Sequence, residues 1–372
     1  MSRYWEILPW LGLLAVFLTL SFFSVIGGWS FAYVIKSATG MFTELDNESV
    51  KEIFHGFQKH PYELIFWHLI FMGATIFIVA KGIRGGIETA TRWMMPWLFL
   101  LLLVFIVLGI THGAFAKAVT FLFNPDFSLI TFPIMLAAIG QAFFSLNVGG
   151  GSMLTYAAYM PDDINLPRTA LIITLVDTAI ALFAGLAIFP FVFAYGLSPQ
   201  VGPELLFVAL STAFGHLPLG ATLGCVFFLL ISIASITSSI ALLETLVSRA
   251  EEIPGSKRPV MTLIIGSSAF ILGLGTVFSF NIWEEFHPLA LIPLFETKTV
   301  FGIIDYIVSQ ILAPLGAAGY AFFAGWILSK QLTKPELNFN HRWLYSLWRT
   351  SCCYIAPVAI FLIFIFNIAG PM

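Results

Sequence analysis

Apolar runs of about 20 residues, the length a helix needs to cross hydrocarbon, recur from one end of this chain to the other. Nine stretches qualify, at roughly 10–35, 64–80, 93–110, 131–159, 168–195, 219–247, 260–280, 300–329 and 345–368. They do not alternate polar and apolar residues in segments of about ten, as a membrane β-barrel would. Only 10% of the 372 residues are charged, against about 25% in soluble domains, and mean hydropathy is +0.94. So few charges cannot clothe a chain of this size in water-facing surface. A soluble enzyme, a disordered chain and a collagen-like fibre are excluded. An all-α polytopic membrane protein remains, with the lipid bilayer as its first partner. The first run is too long for a signal-peptide core and reads as a mature span.

The net charge of −3 offers no basic surface for nucleic acid. Cys225, Cys352 and Cys353 lie inside apolar runs without metal-ligand spacing, so they read as small apolar residues. Orientation follows from the basic residues. Arg3, Lys81, Arg84, Arg92, Arg168, Arg249, Lys257, Arg258, Lys330, Lys334, Arg342 and Arg349 share one side, 12 of the 17. The predicted N-terminus is therefore cytoplasmic and, after nine spans, the C-terminus outside. Residues 36–62 form a predicted extracellular loop, where Glu44, Asp46, Glu48 and Glu52 meet water. Segment 202–217 is predicted as an amphipathic extracellular helix that caps the bundle. Lys81–Glu88 reads as a short polar loop. Trp67, Trp93, Trp97, Trp326, Trp343 and Trp348 fit interfacial belts.

Polar groups in hydrocarbon are expensive, so their positions point to function. Residues 137–152 read Ala-Ala-Ile-Gly-Gln-Ala-Phe-Phe-Ser-Leu-Asn-Val-Gly-Gly-Gly-Ser. Three consecutive glycines weaken a helix by about 1 kcal/mol each. The resulting break either lines a watery cavity, where freed carbonyls and half-helix ends can hold ions, or marks a glycine-packed helix crossing. Asp177, deep in the fifth span, needs sodium, a proton or a hydrogen-bond cluster as partner and reads as functional. The hydroxyl run Ser235, Thr237, Ser238, Ser239 either bonds back along its helix or offers oxygen ligands to a hard cation. Asp305 is an N-terminal helix charge or a gate. His68 reads as a packed, hydrogen-bonded residue. No catalytic set suggests an intramembrane enzyme.

Taken in order, these motifs resemble the neurotransmitter:sodium symporters of bacteria, along nearly the whole chain. Residues 137–151 are similar to the family's broken sixth span, with Tyr156-Ala-Ala-Tyr159 continuing it. Asp177 with the run 184–189 is similar to the seventh span, and Ala234 to Ser239 to the eighth. Residues 202–210 look like the external loop helix, and Ser24 to Trp29 like the third span. The resemblance implies an inverted-repeat bundle in one transporter domain (1–372), and sodium-coupled symport of an amino acid or related small zwitterion by alternating access. It implies two sodium sites. Ser145 and Asp177 would serve the first; the Ala234 carbonyl with the Thr237 and Ser238 hydroxyls would serve the second. Substrate would meet Phe144, Asn147, Gly150, Phe23, Ser238 and Leu242, and Asp305 would be the acidic half of a gate. The Asp177 carboxylate would make chloride unnecessary. Where the family has a tyrosine, Phe23 keeps the ring and loses the hydroxyl, and a buried polar ligand group left without a partner costs about 1–3 kcal/mol. A bacterial inner-membrane location follows from the same resemblance.

The resemblance matches this chain's first span to the family's third, which implies that the family's first two spans, the first of which completes both sodium sites, have no counterpart here. The alternative expectation is thus an N-terminally shortened, transport-inactive member. A sensor or channel-like bundle fits poorly, because the chain has neither a soluble output domain nor a repeated ring of ligands.

Overall fold

The computed structural model describes residues 3–161, 164–197, 199, 202–339 and 341–369, without the side chains of residues 3, 4, 144 and 366–369. All regular structure among the described residues is helical. The helices are α1 (Ile7–Ala38), α2 (Asn47–Gln58), α3 (Pro61–Ala80), α4 (Ile83–His112), α5 (Phe115–Phe123), α6 (Phe132–Ser145) and α7 (Ser152–Ala158). They continue with α8 (Leu166–Ala194), α9 (Leu205–Gly215), α10 (Gly220–Glu251), α11 (Arg258–Ser279), α12 (Val300–Ile327), α13 (Lys330–Leu337) and α14 (Arg342–Ile365). Eight of them are long and apolar enough to cross a membrane: α1, α3, α4, α8, α10, α11, α12 and α14. The fourth predicted span, 131–159, is the interrupted pair α6 and α7. Large apolar side chains stay exposed along the long helices, among them Phe77, Trp93, Leu103, Val107 and Phe361. Such a surface belongs in lipid.

The chain divides into two compact units. One comprises Met1–Thr19, Asp126–Ala179 and Ile303–Met372; the other comprises Leu20–Pro125 and Ile180–Gly302. The second has an aromatic core. Trp29 of α1 lies edge-on to Phe54, Phe207 and Phe280, with ring centroids 5.7, 5.8 and 5.1 Å away. Phe207 of α9 stacks on Phe54 at 5.8 Å and on Phe228 at 5.7 Å. Each such pair adds about 0.5–1.5 kcal/mol beyond its buried area.

Three connections differ from expectation. Residues 36–62 contain α2, a helix with Val50, Phe54 and Phe57 buried at helical spacing. Asp46 caps it by accepting from the Ser49 backbone N–H at 3.1 Å, and bonds from Ser49 hold the Asp46 carboxyl below the usual range. Segment 202–217 does contain a helix, α9, but Phe207 through Gly215 are buried on every face rather than on one stripe. The reason is α2, which packs over α9 while α10 supports it. Lys81–Glu88 is mostly helix, because Ile83–Glu88 forms a wide π-helical turn that opens α4. Gly82 supplies the reversal with φ +85. A Cβ on Gly86 would fall 2.0 Å from the Ile78 carbonyl oxygen, so only glycine lets this turn close on α3.

Hydroxyl contacts also tie the second unit together. Ser232 bonds to Ser30 at 2.9 Å and Thr75 to Ser239 at 3.2 Å. Buried His68 meets Ser24 at 2.9 Å and packs on Phe270, as a structural histidine should.

The stack on Phe207 yields a stability prediction. Phe207→Ala should cost about 3–5 kcal/mol and lower the apparent melting temperature of the detergent-purified protein by several degrees. Unchanged melting would show that α9 is held by something other than this stack.

Candidate functional site

The first unit holds the broken helix. α6 ends at Ser145, the chain runs irregularly through 146–151, and α7 starts at Ser152. Asn147 adopts φ +47 and Gly151 φ +78. A left-handed non-glycine residue costs roughly 1–2 kcal/mol, and asparagine tolerates it best. The Asn147 side chain secures the turn by donating to the Ser152 hydroxyl at 3.0 Å.

Glycines allow the break to be sealed by protein. A Cβ on Gly149 would lie 2.1 Å from the Ala313 carbonyl oxygen, and one on Gly316 would lie 2.3 Å from the Gly149 carbonyl oxygen. Both contacts press the break against α12 with no room for a methyl group. On α1, a Cβ on Gly12 would meet the Gly150 carbonyl oxygen at 3.0 Å and the Tyr320 hydroxyl at 2.9 Å. Of the two alternatives drawn from sequence, these contacts show the glycine-packed crossing, at a helix that is also interrupted.

Ser145, at the last turn before the break, donates its hydroxyl to Asp177 Oδ2 on α8 at 3.0 Å. These are the two residues predicted for a first sodium site. The hydroxyl's lone pairs and the second carboxylate oxygen remain acceptor sites of the kind a hard cation takes. Gly150 is buried at the break, and the Phe144 side chain lies outside the described residues. Asp305 sits exposed in the second turn of α12, where its carbonyl accepts from the Ser309 hydroxyl at 2.7 Å.

The second predicted group falls in the other unit. Thr237 and Ser238 of α10 both donate to the Ala234 carbonyl, at 2.8 and 3.2 Å. The hydroxyls thus bond back along their own helix. That leaves their lone pairs pointing outward, but it loads the Ala234 carbonyl with two donors. Leu242 is buried and Phe23 half-buried. Phe22, next to Phe23, lies edge-on to Phe301 at 5.8 Å.

One polar centre escaped sequence reasoning. Glu244, inside the sixth predicted span, is fully buried and pairs with Arg258 at the start of α11. Arg258 also reaches Glu251 at 2.7 Å and the Val79 carbonyl at 3.1 Å. A lone Glu in an apolar span, with an arginine opening the next, was the signal available. The arrangement joins α10, α11 and the end of α3.

A bundle of membrane-length helices, one of them broken beside a hydroxyl–carboxylate pair, defines a secondary transporter class. A family model described as the sodium:neurotransmitter symporter family matches residues 42–370. YhdH, an uncharacterized sodium-dependent transporter of Bacillus subtilis (strain 168), is 34% identical over 374 residues, spanning 98% of this chain and 80% of the relative. An uncharacterized sodium-dependent transporter of Haemophilus influenzae is 33% identical over 373 residues, spanning 99% of this chain and 80% of the relative. A crystal structure of MhsT in complex with L-phenylalanine superposes with a TM-score of 0.86 at 36% identity, over 97% of this chain and 81% of that one. The chain belongs to the sodium:neurotransmitter symporter family, whose members are sodium-coupled membrane transporters of small molecules and not enzymes.

The close approach of α12 to the break makes a second prediction. Gly316→Ala should destabilise the purified protein despite alanine's better helix propensity, because its methyl group meets a carbonyl. Gly73→Ala on α3, where a Cβ has open space, should be neutral or stabilising by up to about 1 kcal/mol. Equal melting temperatures for the two variants would mean that the break is not sealed by α12.

Proposed function

We propose that this chain serves sodium-coupled symport of an apolar or aromatic amino acid by alternating access. The observation that carries the reading is the Ser145–Asp177 bond at the end of a helix broken mid-span. Two side-chain oxygens side by side where α6 releases its backbone support an ion site there. MhsT, similar along nearly the whole chain, has been solved with L-phenylalanine, which supports an amino-acid substrate with a large side chain.

In this reading Ser145 and Asp177 hold one sodium ion. The Thr237 and Ser238 hydroxyls hold another, together with the Ala234 carbonyl once it gives up one of its two donors. Phe144, Asn147, Gly150, Phe23, Ser238 and Leu242 contact the substrate. Phe23 offers a ring without a hydroxyl, so the substrate carboxylate depends on backbone donors at the break. Asp305 acts as a gate acid. Asp177 supplies a fixed negative charge beside its cation, so no chloride is needed. The lysine and arginine distribution supports a cytoplasmic N-terminus in a bacterial plasma membrane, with α2 and α9 on the outside.

Proteoliposomes carrying the chain and an inward sodium gradient test this. L-Phenylalanine uptake should require sodium over potassium and persist when gluconate replaces chloride. Asp177→Ala should abolish the sodium stimulation, and Thr237→Val with Ser238→Ala should raise the sodium concentration for half-maximal uptake. Uptake indifferent to sodium would overturn the coupling. Full sodium stimulation in Asp177→Ala would remove Asp177 from the ion site.

A further inference from the structure

The hairpin between α12 and α14 carries a cavity of about 310 Å³ that the transport reading does not use. It is lined by Lys330 and Lys334 of α13 and by Tyr345, Ser346, Arg349 and Thr350 of α14. Among the described residues, none of these three cations is paired with a carboxylate, and no acidic side chain lines the cavity. Three positive charges converging without an anion repel one another, so the arrangement favours a negatively charged occupant.

The guanidinium is already aimed. Arg349 donates Nη2 to the Leu328 carbonyl and Nη1 to the Tyr345 hydroxyl, both at 3.2 Å. Thr333 donates to the Ser329 carbonyl, so in the 2.8 Å bond between the Tyr345 and Thr333 hydroxyls Tyr345 is the donor. This relay fixes the Arg349 head and uses two of its five N–H donors, leaving three for a ligand. Lys334 sits over the Tyr345 ring, 5.6 Å from its centroid. The Ser346 and Thr350 hydroxyls, one turn apart on α14, add neutral donors. A tetrahedral oxyanion takes such a mixture of charged and hydroxyl donors.

The surroundings choose the source of the anion. The cavity lies where α12 ends and α14 begins, at the boundary of two membrane-length helices. Trp326, Trp343, Leu347, Tyr354 and Ile355 are exposed around it. Aromatic side chains of this kind settle at the headgroup level, and the apolar ones offer a surface for acyl chains. We propose that this cavity binds the phosphate of an anionic phospholipid, with Arg349 as the oriented donor and Lys330 and Lys334 as charge partners. Such basic pockets beside transmembrane helices suit lipid headgroups. The bound lipid would brace the hairpin whose two helices, α12 and α14, both pack on α6.

Native mass spectrometry of the full chain in detergent, titrated with dioleoylphosphatidylglycerol or dioleoylphosphatidylcholine, tests the proposal. The anionic lipid should bind at least tenfold more tightly than the zwitterionic one. Lys330→Gln with Lys334→Gln should weaken the anionic lipid by about 25-fold, fivefold for each charge, and leave phosphatidylcholine retention unchanged. This double variant spares Arg349, so the bonds that hold the hairpin are intact. Equal phosphatidylglycerol affinity in wild type and variant would overturn the site. A thermal-shift arm with inorganic phosphate separates the two sources of phosphate. Phosphatidylglycerol should raise the melting temperature and inorganic phosphate should not; equal protection by inorganic phosphate would make this a soluble-anion site and overturn the lipid assignment.

Discussion

Everything in the first unit depends on how the irregular stretch 146–151, where among the described residues only Leu146 and Val148 still donate back into α6, is accommodated in a chain built for hydrocarbon. Unsatisfied backbone in lipid costs several kcal/mol per group, so the break survives only if protein closes over it. Gly149 and Gly316 remove the two methyl groups that would hold α12 away, and Gly12 does the same on α1. Asn147 accepts a strained backbone and ties its side chain to Ser152. With the walls in place, the end of α6 holds Ser145, still exposed, within hydrogen-bond distance of Asp177.

The residues proposed for the ion sites share a device. Ser145 donates to Asp177, and Thr237 and Ser238 donate to Ala234. In each case a protein acceptor takes the proton and the oxygen lone pairs remain available. A hydroxyl so oriented approaches a cation without first reorienting. The second group needs one rearrangement that the first does not, since Ala234 cannot offer its carbonyl while both hydroxyls occupy it. The two groups are therefore unequal in preorganisation.

The long helices were legible because hydropathy follows directly from the solvent that a membrane provides. The break at 146–151 was legible because glycine runs and an asparagine are costly in a helix and have no reason to sit there otherwise. Short elements were hidden for physical reasons. α2 reads as a polar connection because its polar residues outnumber its anchors; only Val50, Phe54 and Phe57 carry its helical period. α9 looked one-sided until α2 covered its outer face. Glu244 was missed because its meaning lies in Arg258, which comes from the next helix, and no local pattern joins the two. The pairing of Ser145 with Asp177 is likewise a tertiary fact: each residue was visible alone, 32 positions apart.

The Glu244–Arg258 pair bears on how the protein is made. A lone charge raises the cost of inserting a spanning segment, by about 2.5–3.5 kcal/mol at its centre and by less near an end, where Glu244 and Arg258 lie. Helix α10 carries the acid and α11 opens with its counter-charge, separated by a short connection. Each helix leaving a translocation channel by itself would bring an uncompensated charge towards lipid. Leaving together, they form a neutral hairpin with Arg258 already capped by Glu244, Glu251 and the Val79 carbonyl of the preceding α3. The order of synthesis supplies the partners in that sequence, so the cheapest biogenesis is cooperative: α3 waits in the bilayer, and α10 is retained until α11 emerges to neutralise it.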